Sequence, residues 1–210
     1  MEKDLGNYRK NYGKLDLSVK TVPENPLELF QQWFYAAEES DSDLEANIMT
    51  LSTVDEKGSP TSRIVLLKKF TWEGFIFYTN YDSEKGRAIL KNPMVSLNFF
   101  WHSLERQIVI KGHTEKIAPN LSDGYFESRP KGSQLGAWAS EQSQEIESRE
   151  ALDEKLNQFE KKFEGQEIPR PENWGGFIVK PVSIEFWQGR PNRMHDRILY
   201  ALQEDYNWKI

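Results

Sequence analysis

Six or more short β-prone runs, separated by turn signals, recur along this chain and leave few folds open to it. Ile48 to Val54, Thr61 to Lys69 and Phe75 to Thr79 are separated by Asp55-Glu56-Lys57-Gly58 and Thr71-Trp72-Glu73-Gly74, and read as a meander. Val95 to Trp101 and Gln107 to Ile117 follow, joined by a tight turn near Ser103-Leu104. Phe177 to Trp187, Arg197 to Leu202 and a short Trp208-Lys209-Ile210 complete the set. Strands this close in sequence pair antiparallel, and enough of them close or nearly close a barrel. The pattern therefore implies a mainly β, antiparallel protein with flanking helices.

The helices are marked by their caps. Asn25-Pro26-Leu27-Glu28 supplies an N-cap, a proline at the first helical position and a glutamate three after the cap. Leu27, Phe30, Trp33, Phe34 and Ala37 then form one apolar face. Ser83 caps a short helix through Leu90, stopped by Asn92-Pro93. A helix starting at Asn120 or Ser122 is expected to end by Pro130, and Ile146 to Phe163 is expected to be helical, with Leu152, Leu156, Phe159 and Phe163 on one stripe. Residues 1–24 lack periodicity and read as an arm with freedom to move, ahead of a single domain over 25–210.

Composition removes several function classes. The formal net charge is −6, a poor footprint for nucleic acid. There is no Cys, so there is neither a disulfide framework nor a thiolate metal site, and the three His lack metal-ligand spacing. No apolar run approaches membrane length, and a charged, polar N-terminus fits a cytoplasmic location. No glycine-rich phosphate fingerprint follows a strand, so a nucleotide phosphate would have to be met by side chains.

Three places could supply them. Arg63 opens the strand that ends in Lys68, and a cation at each end could bracket a long anion or be ordinary surface charge. Tyr125, Arg129 and Ser133 recur every four residues and would make a phosphate cradle, or a capped helix end with a surface arginine. Arg193, His195 and Arg197 alternate after the turn formers Gln188-Gly189 and Pro191-Asn192. An extended chain would turn all three to one face, suited to a planar anion; a solvated hairpin tip is the plainer alternative. His102 and His113 fall in expected strands and read as structural, and Trp33, Trp72 and Trp138 as core or turn residues.

The run Glu185-Phe186-Trp187-Gln188-Gly189-Arg190-Pro191-Asn192-Arg193-Met194-His195-Asp196-Arg197 resembles the C-terminal motif of the pyridoxamine 5′-phosphate oxidase family. Arg63-Ile64-Val65-Leu66-Leu67-Lys68, Phe77-Tyr78-Thr79-Asn80, Trp101 to Gln107, and Ser128-Arg129-Pro130 to Trp138 resemble it in the same order, from about Tyr8 to Lys209. The resemblance implies an FMN-binding split barrel that forms a homodimer with the flavin between subunits. It implies oxidation of pyridoxamine or pyridoxine 5′-phosphate by O2 to pyridoxal 5′-phosphate, with H2O2 released. By that likeness Arg63, Ile64, Val65, Leu66, Leu67, Lys68, Tyr78, Thr79, Lys85, Gln107, Gln142, Ser143, Trp187 and Arg197 bind FMN. Lys68, Tyr125, Arg129 and Ser133 hold the substrate phosphate, Arg193 and His195 line the substrate ring and act in catalysis, and Arg9 and Tyr12 reach the substrate from the arm. Glu84 departs from the family, where arginine often stands beside the matched Lys85. A flavin reductase-like split barrel would share the flavin residues without the cradle, and a carrier of flavin or pyridoxal phosphate would share both without turnover.

Overall fold

The structure is a computed structural model, and it describes residues 3–7, 10–40 and 45–210. Strands dominate: β1 (Ile48–Val54), β2 (Pro60–Leu66), β3 (Lys69–Thr71), β4 (Gly74–Asn80), β5 (Met94–Trp101), β6 (Arg106–Lys116), β7 (Trp174–Gln188), β8 (Asp196–Leu202) and β9 (Trp208–Lys209). Five helices accompany them among the described residues: α1 (Pro26–Ser40), α2 (Glu84–Lys91), α3 (Pro119–Ser128), α4 (Lys131–Ala139) and α5 (Arg149–Lys162). The hydrogen-bonded strand order is β2-β1-β5-β6-β7-β4-β3, with β8 on β7 and β9 on β8. The chain forms two compact units, one of residues 1–50, 97–111 and 181–210, the other of 51–96 and 112–180. None of the helices among the described residues is long and apolar enough to cross a membrane.

In the first unit, α1 starts as its sequence dictates, with Asn25 Oδ1 accepting from Leu27 N at 2.9 Å. Its apolar face is buried: Phe30 meets Phe99 edge-on at 5.3 Å, and Trp33 meets Phe186 at 5.2 Å. Each such side chain contributes roughly 1.5–3 kcal/mol of burial. β7 pairs with β8 from Ser183↔Ala201 to Gln188↔Asp196. The arm is tied down over part of its length, since Leu17 N donates to Asp196 Oδ2 and Tyr200 OH donates to Pro23 O.

The second unit contains the other half of β7, where Trp174 to Val179 pair with β4 from Asn80 to Phe75. Proline has no N–H for a ladder, and Pro181 falls between the two registers of this fifteen-residue strand. β4 is buried at all but Tyr78, with Phe75 and Phe77 fully enclosed. Ser83 caps α2 by accepting from Gly86 N at 3.2 Å.

Several expectations need correction. The helix α3 starts at Pro119, one residue before Asn120 and three before Ser122, with no side-chain cap at Ala118. Pro130 does more than end α3: it stands as N-cap of α4, where a missing N–H costs nothing, and Ser133 N donates to its carbonyl at 2.8 Å. α5 begins at Arg149, not Ile146, because Ser148 caps it through Ala151 N. Arg63 lies mid-strand and Lys68 beyond the strand end, so they do not cap a strand at its two ends. His102 lies in a 3-10 turn over His102–Leu104, not a strand. Arg193, His195 and Arg197 do not alternate on an extended chain: Pro191–Arg193 is a 3-10 turn with positive φ at Asn192 and Arg193, and only Arg197 reaches β8.

Candidate functional site

The second unit holds a cavity of about 510 Å³. α3 ends at Ser128, and the Gln134 side chain of α4 gathers the carbonyls around that end: its Nε2 lies within 3.0–3.1 Å of Phe126 O, Glu127 O and Arg129 O. That clamp sets the α3–α4 corner. It places Tyr125 on α3, Arg129 at the corner and Ser133 in the first turn of α4 on one cavity wall. Gly136, Ala137 and Ser140 continue that wall at helical spacing. The rest of the lining includes Ile64, Val65 and Leu66 at the end of β2, Lys68 just beyond it, and Tyr78 and Thr79 of β4.

Three rings line the inside. Tyr78 stacks on Tyr125 at 4.0 Å and on Trp174 at 5.5 Å, nearly parallel to both. The Arg129 guanidinium lies 4.6 Å from the Trp174 ring centroid. Gly176 makes this packing possible, since a Cβ there would come within 2.9 Å of Tyr78 Cε1. Trp174 is a site residue that the sequence reading missed. The Trp174-Gly175-Gly176 run was its available signal, because paired glycines in a strand mark a close approach.

The charge of the lining is one-sided: Lys68, Lys85 and Arg129 face the cavity, and among the described residues no carboxylate does, in a chain of net charge −6. Arg129 Nη1 is buried without a hydrogen-bond partner. An unmet guanidinium N–H away from water is costly, so the position is complete only with an acceptor. Burial lowers the Arg129 pKa, and Tyr125 partly opposes this. Lys85 Nζ reaches Gln142 Oε1 at 2.9 Å, Ser83 Oγ at 3.1 Å and Thr79 Oγ1 at 3.3 Å. Its pKa is pushed down to about 8, by burial first and by the Arg63 guanidinium second. Arg63 is beside the cavity rather than in its lining. Its Nη1 donates to Leu51 O, Thr53 Oγ1 and Thr61 O, and its Nη2 faces Glu84 Oε1 at 3.7 Å. Leu67 is buried behind the lining, and Ser143 sits outside it with φ +68°.

The remaining expected residues lie in the first unit, apart from Arg9, which lies outside the described residues. Tyr12, Trp187 and His195 form a ring cluster, with centroids 5.8 Å apart for Tyr12–Trp187 and 4.7 Å for Trp187–His195. His195 Nδ1 accepts from Arg190 N at 3.0 Å, which leaves Nε2 to carry the proton of the neutral ring. Gln107 Nε2 donates to Asn98 Oδ1. Arg193 is exposed, and Arg197, also exposed, pairs with Glu185 at 3.2 Å. Among the described residues no group of three His, Cys, Asp or Glu side chains is placed to hold a metal ion.

The antiparallel β framework is of the split-barrel class, and its cavity brings stacked rings together with two lysines and an arginine, a lining suited to an aromatic ligand that carries phosphate. Comparison with known proteins narrows this. Residues 38–163 match the family model described as pyridoxamine 5′-phosphate oxidase, and residues 174–210 match the pyridoxine 5′-phosphate oxidase C-terminal dimerisation region. The chain is 61% identical over 208 residues to the pyridoxine/pyridoxamine 5′-phosphate oxidase of Flavobacterium psychrophilum, covering 99% of this chain and 97% of that one. It is 48% identical over 210 residues to the enzyme of the same name from Gloeothece citriformis, covering 100% and 98%. Among solved structures, PhzG from Burkholderia lata in complex with tetrahydrophenazine-1-carboxylic acid superposes with a TM-score of 0.86 at 25% identity, covering 95% of this chain and 97% of that one. A pyridoxamine 5′-phosphate oxidase-related, FMN-binding protein from Nostoc punctiforme shares the fold, with a TM-score of 0.69 at 17% identity over 86% of this chain and 94% of that one. The chain belongs to the pyridoxamine 5′-phosphate oxidase family.

Proposed function

We propose that this protein is the FMN-dependent oxidase that converts pyridoxamine 5′-phosphate and pyridoxine 5′-phosphate to pyridoxal 5′-phosphate. With the amine, O2 and water are consumed, and ammonia and H2O2 released; with the alcohol, O2 is consumed and H2O2 released. The buried, partnerless Arg129 Nη1 in a cavity lined by cations carries the reading most directly. A phosphate oxygen is the acceptor that fits it, because a guanidinium meets phosphate at charge-assisted distance and geometry.

Bound FMN supplies the two-electron oxidation and delivers the electrons to O2. The chain's own groups do the rest. Lys68, Tyr125, Arg129 and Ser133 are assigned to the substrate phosphate, supported by their presence in the lining of one cavity. Fixing that phosphate orients the rest of the substrate, which is catalysis by positioning. Lys85, with Thr79 and Gln142, is assigned to the flavin phosphate together with Arg63, and Ile64 to Leu67, Tyr78 and Ser143 to the rest of the flavin. Lys85 Nζ already donates to Thr79 Oγ1, Ser83 Oγ and Gln142 Oε1, and an arriving phosphate offers it a charged acceptor in their place. Gln107, Trp187 and Arg197 are assigned to the flavin and Arg9, Tyr12, Arg193 and His195 to the substrate on the family likeness. The Nε2–H of His195 is free to donate toward a substrate oxygen or nitrogen.

A homodimer is the proposed assembly, supported by the match of residues 174–210 to a dimerisation region. A cytoplasmic location is proposed from the Cys-free, acidic composition. The purified protein is expected to be yellow and to release FMN rather than FAD. Calorimetric titration of the flavin-loaded protein should show binding of pyridoxal 5′-phosphate and little binding of pyridoxal. Equal binding of the two would remove the phosphate cradle from the account.

A further inference from the structure

Glu105 has no part in the assignments above, yet it is a buried carboxylate, 2% exposed, on a left-handed backbone with φ +56°. A non-glycine residue is rarely held so without reason. Its Oε2 accepts from Gly13 N at 2.8 Å and from Lys14 N at 3.2 Å. Consecutive backbone N–H groups converging on one oxygen form a small anion-receiving nest. On the other side, the carbonyl of Glu105 accepts from Gly189 N at 2.8 Å and from Gln188 Nε2 at 3.2 Å. One residue therefore holds the arm by its side chain and the end of β7 by its backbone.

What it brings together is specific. Tyr12 sits next to the latched glycine, and its ring lies edge-on to Trp187 at 5.8 Å and 5.9 Å from His195. The approach is too close for a side chain at Gly189, where a Cβ would lie 2.9 Å from Tyr12 Cβ and 3.1 Å from Glu105 Cβ. Lys14 Nζ adds a bond to Ser103 O at 2.6 Å. Burial pushes the Glu105 carboxyl up, but the Gly13 and Lys14 N–H groups outweigh this and hold it below the usual range, with Lys14 and Lys10 adding to their effect.

We propose that Glu105 is a positioning residue whose carboxylate latches residues 13 and 14, so that the Tyr12 ring is held against Trp187 and His195. The proposal rests on the reading above, in which Tyr12 and His195 serve the substrate.

The test uses the flavin-loaded protein and four variants: Glu105→Ala, Glu105→Gln, Gly13→Pro and Gly13→Ala. Gly13→Pro deletes one donor without touching Glu105, and Gly13→Ala keeps the N–H with room for its methyl group 3.5 Å from Pro191 Cγ. Tryptic cleavage after Lys14 should be about ten-fold faster in Glu105→Ala and Gly13→Pro than in the parent, the scale of a lost charge-assisted bond. Glu105→Gln should be intermediate, since an amide oxygen accepts without the charge, and Gly13→Ala should match the parent. The KM for pyridoxamine 5′-phosphate should rise about ten-fold in step with cleavage, with FMN content unchanged and kcat less affected. A Glu105 that served only the local turn would lower the melting temperature and leave KM alone. Cleavage of Glu105→Ala at the parent rate, or faster cleavage with unchanged KM, overturns the proposal. If the parent itself fails to turn over, the functional reading falls, while the cleavage rates still decide the latch.

Discussion

Replacing Arg129 with methionine separates the function of the cavity from its stability. In the flavin- and substrate-free protein the guanidinium carries an unmet buried N–H and lies 4.6 Å from the Trp174 ring. Removing the unmet donor gains about 1–3 kcal/mol, and losing the cation–π contact costs about 0.5–2 kcal/mol. Methionine keeps apolar contact with the tryptophan. These terms nearly cancel, so the melting temperature of the ligand-free protein should move by no more than about 4 °C, the shift of about 1 kcal/mol in a chain of this size. Substrate binding has no such compensation. A charge-assisted contact to phosphate is lost, about 1.5–3 kcal/mol, or about ten- to a hundred-fold in KM for pyridoxamine 5′-phosphate. Unphosphorylated pyridoxamine, which makes no such contact, should be handled as by the parent. Arg129→Lys should recover only part, because an ammonium cannot offer the paired donors of a guanidinium. Steady-state kinetics on both substrates, with melts of the ligand-free proteins, give the answer. An unchanged KM for the phosphorylated substrate, or an equal loss for both substrates, refutes the reasoning.

Arg193→Ala should keep FMN near the parent content while weakening the phosphorylated substrate and lowering turnover, whereas Arg197→Ala should lose flavin; flavin-free Arg193→Ala protein would reverse the assignment. Glu84 faces Arg63 at 3.7 Å with its side chain 57% exposed, so Glu84→Arg should tighten FMN by about ten-fold at most at low salt, the reach of an exposed pair near 1 kcal/mol. Unchanged affinity there would show that Arg63 does not meet the flavin phosphate. Lys85, with its pKa pushed down to about 8 from 10.5, stays protonated in the unfolded chain but not in the folded flavin-free protein between those values. Stability of the flavin-free protein should therefore rise with pH through that window, as the buried charge is relieved. FMN affinity should run the opposite way and fall above about pH 8, with a proton taken up on binding. Fluorescence titrations of FMN between pH 7 and 9.5 test this, and a flat profile, or a slope that survives in Lys85→Met, counts against it.

Much of this architecture was legible from alternation and caps. β1, β5 and α2 lie within one residue of their expected bounds, because Asp55 to Gly58, Ser83 and Asn92-Pro93 act locally. α4 was not legible. Two glycines within it depress helix propensity, and Pro130 read as a stop although it can equally open a helix. The break between Arg193 and Arg197 was hidden for a related reason: left-handed backbone at Asn192 and Arg193 is set by the turn, and arginine does not announce it. Tyr125, Arg129 and Ser133 were visible as a repeat, but they share a wall through the Gln134 clamp rather than through one helix face. Trp174 was signalled only by the two glycines that follow it, and Glu105 depends on contacts far apart in sequence, which no local pattern encodes.

The central claim is that this chain oxidises the phosphorylated vitamer at a cavity that demands the phosphate. The most direct measurement is turnover of the FMN-loaded protein in air, with pyridoxamine 5′-phosphate and pyridoxamine compared at equal concentration. The account predicts one pyridoxal 5′-phosphate and one H2O2 per O2 consumed with the first substrate, and far slower turnover with the second. Flavin reduction by a nicotinamide donor with no pyridoxal 5′-phosphate formed, or tight binding of both substrates with no turnover at all, would contradict it.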